Sequence, residues 1–225
     1  MKTISIQDLG VASFPDAYAR QRRSIEELQN GGGEEVMFLL EHPHVVTKGR
    51  NASDSALKAS REHLARKNVV LVETDRGGDI TYHGPGQLVG YPIIELEPGR
   101  RDIRRYVNDI EEVILRALTE FSIRARRDRV NRGVWVDDRK IASVGVRISR
   151  WVTSHGFALN VNTDLSFFSL IVPCGIPNCE MTSMSRELGR SLNMDDVKDV
   201  VVRNFCDVFD REPITVTAAK EAGSG

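Results

Sequence analysis

Long apolar runs are missing from this 225-residue sequence. No stretch approaches the roughly 20 apolar residues of a membrane-spanning helix, so no membrane segment is expected. Cysteine is scarce: three residues, an odd number, with no targeting segment ahead of them. That argues against a disulfide framework and for a reduced, soluble, cytoplasmic protein. Cys174 and Cys179 have no further soft ligands nearby, so no metal is expected. A charge excess is also absent, the formal net charge being −1. The local run IRARRDRVNR, 123 to 132, suits an acidic partner better than nucleic acid, or is equally a solvated strand edge. There is no repeat, linker or low-complexity segment before the final AAKEAGSG, so the sequence reads as one domain over 1–215 with a frayed tail at 216–225.

What is present is ordinary globular material, 40% apolar and 28% charged, enough for a proper core. FPDAYARQRRSIEELQ places Phe14, Ala17, Tyr18, Ile25 and Leu28 on one stripe and is followed by NGGG, which predicts a first helix. EVMFLLE and HVVTKG read as strands around a His42-Pro43-His44 corner. SDSALKASREHLARK reads as a shorter helix leading into a strand, VVLVET. DIRRYVNDIEEVILRALTEF is the clearest helix, with apolar residues at helical spacing from Ile103 to Phe121. The period then changes to two: GVWVD, RKIASVGVRI and SHGFALNVN predict strands, the first pair reversing at Asp137-Asp138. A last helix is expected from about Met194 to Asp210, with Asn193 as N-cap and a staple of Leu192 on Val197. The pattern predicts an α+β fold, a mixed or antiparallel sheet with helices packed on it.

RGGDITYHGPGQLVGYP, Arg76 to Pro92, interrupts what would otherwise be a strand. It has neither the spacing of a phosphate loop nor that of a dinucleotide site. Adjacent glycines let backbone pass close to a ligand, so Gly77-Gly78 either lines a narrow slot or belongs to a loop of turn formers. The polar residues crowded around it, Arg76, Asp79, Thr81, Tyr82, His83 and Gln87, favour the slot. The candidate nucleophile is Cys174, in LIVPCGIPN, where prolines and glycine form a rigid turn after an apolar strand end. Cys206 lies among apolar helix residues and reads as core. A thiol acts as thiolate and needs a cation or base; His83, His155 and Lys140 are the candidates. Lys140 either projects from a hairpin into solvent or is drawn inward beside Ile141 and Ala142, where desolvation favours its neutral form.

Five blocks, EHPHVVTKGR, RGGDITYHGPGQLVGYP, RKIASVGVRI, SHGFALNV and PCGI, occur in the order and approximate spacing of the lipoyl(octanoyl) transferases, and the chain resembles that family over about residues 1 to 210. The resemblance implies a fold similar to the catalytic domain of biotin and lipoate protein ligases. It implies a nucleophile at Cys174 and, at Lys140, a lysine that lowers the cysteine pKa and moves protons. Acyl-substrate contacts would fall on Arg76, Gly77, Gly78, Asp79, Ile80, Thr81, Tyr82 and His83, on Ser143, Val144 and Gly145, and on Gly156, Phe157 and Ala158. The implied reaction passes an octanoyl group from octanoyl-acyl carrier protein, through a cysteine thioester, to a lysine of lipoyl domains. The acceptors would be 2-oxoacid dehydrogenase E2 subunits and the glycine cleavage H protein, with no cofactor and no nucleic acid. Two positions depart from the family pattern: His44 stands where proline is common, and Lys48 where an apolar residue is usual. An ATP-dependent lipoate or biotin ligase and a silent acyl-binding module are the alternatives.

Overall fold

The computed structural model describes residues 2–128, 131–176 and 179–215, without the side chains of Cys174 and Thr215. The tail expected at 216–225 lies outside the described residues. The chain begins with β1 (Lys2–Val11), α1 (Phe14–Gln29), β2 (Val36–Glu41), β3 (Val45–Lys48), α2 (Arg61–Arg66) and β4 (Val70–Glu73). The glycine-rich stretch carries β5 (Ile80–His83) and β6 (Gln87–Ile93), and α3 (Ile103–Glu120) follows. Next come β7 (Arg126–Arg127), β8 (Val134–Val136), β9 (Arg139–Ser149) and β10 (Val152–Asn160), then β11 (Glu180–Met181), α4 (Met184–Leu188), α5 (Met194–Phe209) and β12 (Arg211–Thr215).

The strands form a large mixed sheet in the order β12-β1-β2-β6-β10-β9-β8-β7, with β11 beside β9, and a small sheet β4-β3-β5. This is the expected α+β architecture. The β9–β10 hairpin runs from Val152↔Ser149 to Leu159↔Ala142 and turns at Arg150 and Trp151, both at positive φ, a pair of values that matches the right-handed twist of the strands. Asp137, also at positive φ, turns β8 into β9 where the sequence predicts the reversal.

Helix α3 starts where the Asp102 carboxylate accepts the amides of Arg104 and Arg105. It buries Tyr106, Ile110, Val113, Ile114, Ala117 and Leu118, one stripe at helical spacing. Ile103, on the expected stripe, is exposed, because it sits in the first turn. Helix α5 is capped by the Asn193 side chain, as expected, and packs with α3 on one face of the large sheet. Helix α1, capped by Ser13, covers the other face over Phe38, Leu40, Val89, Tyr91 and Ala158.

One expectation needs correction. The single helix predicted over 53–67 is a 3-10 turn, Asp54–Ala56, followed by α2. Between them the Lys58 and Ala59 amides bond the Leu170 carbonyl, and Ser60 caps α2 through the His63 amide. A tertiary partner and a cap thus override helix propensity. Strands β1 and β12, which no local signal had separated out, pair with each other in parallel, Lys2↔Arg211 to Ile6↔Thr215. Among the described residues no helix is long and apolar enough to cross a membrane.

Candidate active site

Between the glycine-rich segment and strands β9 and β10 lies a cleft of about 200 Å³. Arg76, Gly78, Asp79, Ile80, Thr81 and His83 form one wall, Ser143, Val144 and Gly145 of β9 and Gly156, Phe157 and Ala158 of β10 the other, and Lys140 lies in the same lining. Segments roughly 60 positions apart thus converge on one cleft. Gly145 and Gly156 are directly paired across the hairpin, and a Cβ on Gly156 would collide with the Gly90 carbonyl oxygen. Side chains are excluded there because strands approach too closely, which leaves a groove of bare backbone.

Two predicted residues do not join the lining. Tyr82 alternates with Thr81 and His83 along β5, so it points away from the cleft; its hydroxyl bonds His44 at 2.7 Å and its ring packs on Phe167 and Phe168. Gly77 donates its amide to the Val146 carbonyl at 2.9 Å, so that amide is not available to a ligand oxygen.

The polar crowding around the glycines is largely satisfied inside the protein. Arg76, 7% exposed, donates to the Thr47 carbonyl at 2.7 Å and to its hydroxyl at 2.9 Å, tying the glycine loop to β3. His83 bonds the Gln87 side-chain oxygen through Nδ1 at 2.7 Å, and the Gln87 amide donates to Asn160 at 2.9 Å, linking β5, β6 and β10. Burial pushes the His83 imidazole down to about 3, with the nearby His42 adding to the effect. It is therefore neutral at pH 7 and serves as a hydrogen-bonding wall rather than a cation.

Lys140 is 2% exposed, so of the two readings of the hairpin lysine the inward one is correct. Its ammonium lies 5.4 Å from the centre of the Trp135 ring, a cation–π distance. Gly133 makes room for it: at φ 118, a Cβ there would stand 2.6 Å from Lys140 Cε. The Gly133 amide is fixed in turn by the buried Glu111 carboxylate of α3 at 2.8 Å. Helix α3 thereby positions the lysine through a residue that has no side chain.

Cys174 lies in the 3-10 turn Pro173–Gly175. Its thiol lies outside the described residues. The turn is anchored by the Val172 amide on the Ala56 carbonyl at 2.7 Å. The Asp79 carboxylate stands directly against Gly175, and Ile176 lines the cleft, so the turn borders the cavity that holds Lys140. Cys206 is buried, as expected, and burial raises its thiol to about 11. Cys179 is half-buried, its sulfur 3.9 Å from that of Met181. Among the described residues no cluster of His, Cys, Asp or Glu could hold a metal ion.

The lining also includes Phe14, Tyr91, Asn131, Arg132, Ile176 and His155, of which only His155 stood among the candidates, as a base. His155 Nε2 donates to Asp75 at 2.7 Å, and Asp75 also accepts from the Tyr18 hydroxyl at 2.9 Å and from Arg147. Burial alone would raise the Asp75 carboxyl, but the bonds from His155 and Tyr18 and the charge of Arg147 hold it down at about 2. Burial lowers His155 against the opposing pull of Asp75. Positions 18, 75, 147 and 155 share no spacing pattern; the one local hint was a histidine next to the slot glycine.

Comparison with known proteins identifies relatives of two kinds. Residues 14–206 match the lipoyl protein ligase A/B catalytic domain. Octanoyltransferases from Myxococcus xanthus and Nitratidesulfovibrio vulgaris (strain DP4) are each 46% identical, covering 100% and 90% of this chain and 67% and 93% of theirs. A bipartite lipoate protein ligase from Thermoplasma acidophilum has a similar structure at TM-score 0.72 and 16% identity, covering 96% of this chain and 88% of its own. Biotin protein ligase from Aquifex aeolicus follows at TM-score 0.52 and 13% identity, over 93% and 70%. At such identities the structures speak for the fold alone.

Proposed function

Because this chain belongs to the lipoyl protein ligase A/B catalytic domain family and is an acyltransferase of the octanoyltransferase kind, we propose that it moves an octanoyl group from octanoyl-acyl carrier protein to a lysine of lipoyl domains through a thioester on Cys174. The Cys174 thiolate attacks the donor carbonyl carbon, the bond to the carrier sulfur breaks, and the departing thiolate takes a proton from the Lys140 ammonium, which leaves that amine neutral for the second step. The acceptor amine then attacks the new thioester, the Cys174 sulfur leaves, and the amine's excess proton passes to Lys140 or back to the cysteine. Both donor and intermediate are thioesters, so the first step is near balance and amide formation drives the second without ATP. The acceptors are the lipoyl domains of 2-oxoacid dehydrogenase E2 subunits and the glycine cleavage H protein.

The observation that carries this reading is the buried Lys140 in the wall of the cleft that the Cys174 turn borders. An ammonium beside a thiol favours thiolate by Coulomb attraction. The groove at Gly145 and Gly156 suits a flat alkyl chain; burying about six methylenes at ~0.8 kcal/mol each contributes about 5 kcal/mol of anchoring. Oxyanion stabilisation falls to the amides of Cys174 and Gly78, since those of Gly77, Gly175 and Ile176 are engaged.

The test is intact mass spectrometry after mixing the protein with octanoyl-acyl carrier protein in the absence of ATP. One octanoyl adduct on Cys174, discharged by an apo lipoyl domain, is expected. Transfer only when ATP is added would instead make the chain a ligase, and no adduct with no transfer would make it a binding module.

A further inference from the structure

The cleft has two unlike ends, and the segment 75–79 runs from one to the other. At one end Asp79 lies against Gly175 of the cysteine turn. Midway the Arg76 side chain packs beside Gly145. At the other end Asp75 accepts the His155 proton at 2.7 Å. Asp79 follows Asp75 by four positions, so at most about 14 Å of chain spans the interval. An eight-carbon acyl chain, with single bonds near 1.5 Å, extends over roughly 9 Å, and four further carbons add about 5 Å. The first is well inside that bound, and the second already reaches it.

His155 closes the far end, and it is held from every side. Its Nε2 bonds Asp75, its ring stacks on Tyr18 and Phe14 with centroids 5.5 and 6.4 Å apart and meets the Tyr91 ring edge-on at 6.2 Å. Its backbone sits at φ 56, so its amide turns from the ladder to the buried Gln21 side chain at 2.8 Å. The plug is thin. The Asp75 and Arg147 side chains behind the 1%-exposed His155 are 29% and 41% exposed, so solvent begins one residue beyond the ring.

We propose that His155, clamped by Asp75, Tyr18 and Arg147, is the stop that sets acyl-chain length in this cleft. This rests on the acyl-transfer reading above. A group locked by a carboxylate, two stacked rings and a backbone bond does not swing aside as a leucine would. A rigid stop therefore implies a sharp limit in chain length rather than a graded preference.

His155→Gly is the variant of choice, because glycine is at ease at φ 56 and the substitution removes the ring without backbone strain. His155→Asn, which also tolerates positive φ, carries the same comparison should the glycine variant not fold. Two readouts are taken on protein that keeps its thermal transition: the rate of acyl-enzyme formation from octanoyl- and dodecanoyl-pantetheine thioesters, and calorimetric binding of octanoic and dodecanoic acids. The dodecanoyl-to-octanoyl ratio is expected to rise about tenfold or more in both readouts, the scale on which pockets distinguish small changes in chain length. An unchanged ratio in the folded variant overturns the proposal. Absence of any adduct in the parent protein would sink the thioester mechanism instead, and the fatty-acid ratio would still decide whether His155 is the stop.

Discussion

The two faces of the central strands β6 and β10 are built from the same chain and do opposite work. On the face under α3 and α5, Leu88, Phe157 and Leu159 meet Ile110, Ile114, Val201 and Phe205 in one continuous apolar core. On the face under α1, Tyr91 and Ala158 share the interior with His42, His155 and Gln21, each bonded to a named partner. The first face gains free energy from area and packing alone, and many residues could fill it. The second keeps neutral imidazoles out of water and leaves an unfilled groove, which costs stability and is tolerated because the other face supplies a surplus.

The sharpest way to break that contrast is Cys174→Ala. It should leave folding intact and reduce transfer below detection, while Cys179→Ala retains activity, as a rate assay with octanoyl-acyl carrier protein reads directly. Equal loss in both would count against a single nucleophile.

Lys140 comes next. In Lys140→Ala, alkylation of Cys174 should slow at neutral pH and recover as pH rises toward the ordinary thiol value near 8.5. Lys140→Arg should keep part of that rate and fail at transfer to the amine, since arginine does not readily release a proton. A pH profile for Lys140→Ala that overlays the parent's would remove the lysine from the mechanism.

On the opposite face, Phe205, fully buried and stacked 4.5 Å from Phe209, gives the converse result. Phe205→Ala should cost about 3–5 kcal/mol in denaturant unfolding and leave activity per folded molecule unchanged.

The smallest effect is a pH trend confined to the histidine face. Burial lowers His42 to about 4 and His83 to about 3, below their unfolded value near 6.5. Their neutral forms support the fold fully above that value, and the contribution is lost as pH falls toward the folded values. Urea midpoints should therefore drop between pH 6.5 and 4, by up to about 1.4 kcal/mol per pH unit for each histidine. His42→Gln should reduce the slope, and a slope unaltered by that change would remove His42 from the trend.

Much of the fold was legible because it is local. Helices α1, α3 and α5 and the β8–β9–β10 meander follow from periodicity, caps and turn residues within a few positions of one another. Strands β1 and β12 were not legible, because each is completed by the other across some 200 residues and neither carries a distinctive pattern. The helix over 53–67 was misread because its break is imposed by the Leu170 carbonyl, far along the chain. In the site, glycine-rich backbone, a cysteine in a rigid turn and a lysine in a strand were visible as residue types. That Lys140 points inward was not, since it depends on Gly133, Trp135 and Glu111 meeting in space.

The sequence by itself determined the α+β class, the principal helices and hairpins and the residue types of a candidate site, because propensity, period and residue chemistry are properties of short segments. Only the tertiary structure decided that Tyr82 and the Gly77 amide turn away from the cleft, that Lys140 is enclosed, and that Tyr18, Asp75, Arg147 and His155 converge at its end. Those are consequences of strands from distant parts of the chain packing side by side, where the free energy of burial, rather than local preference, chooses the neighbours.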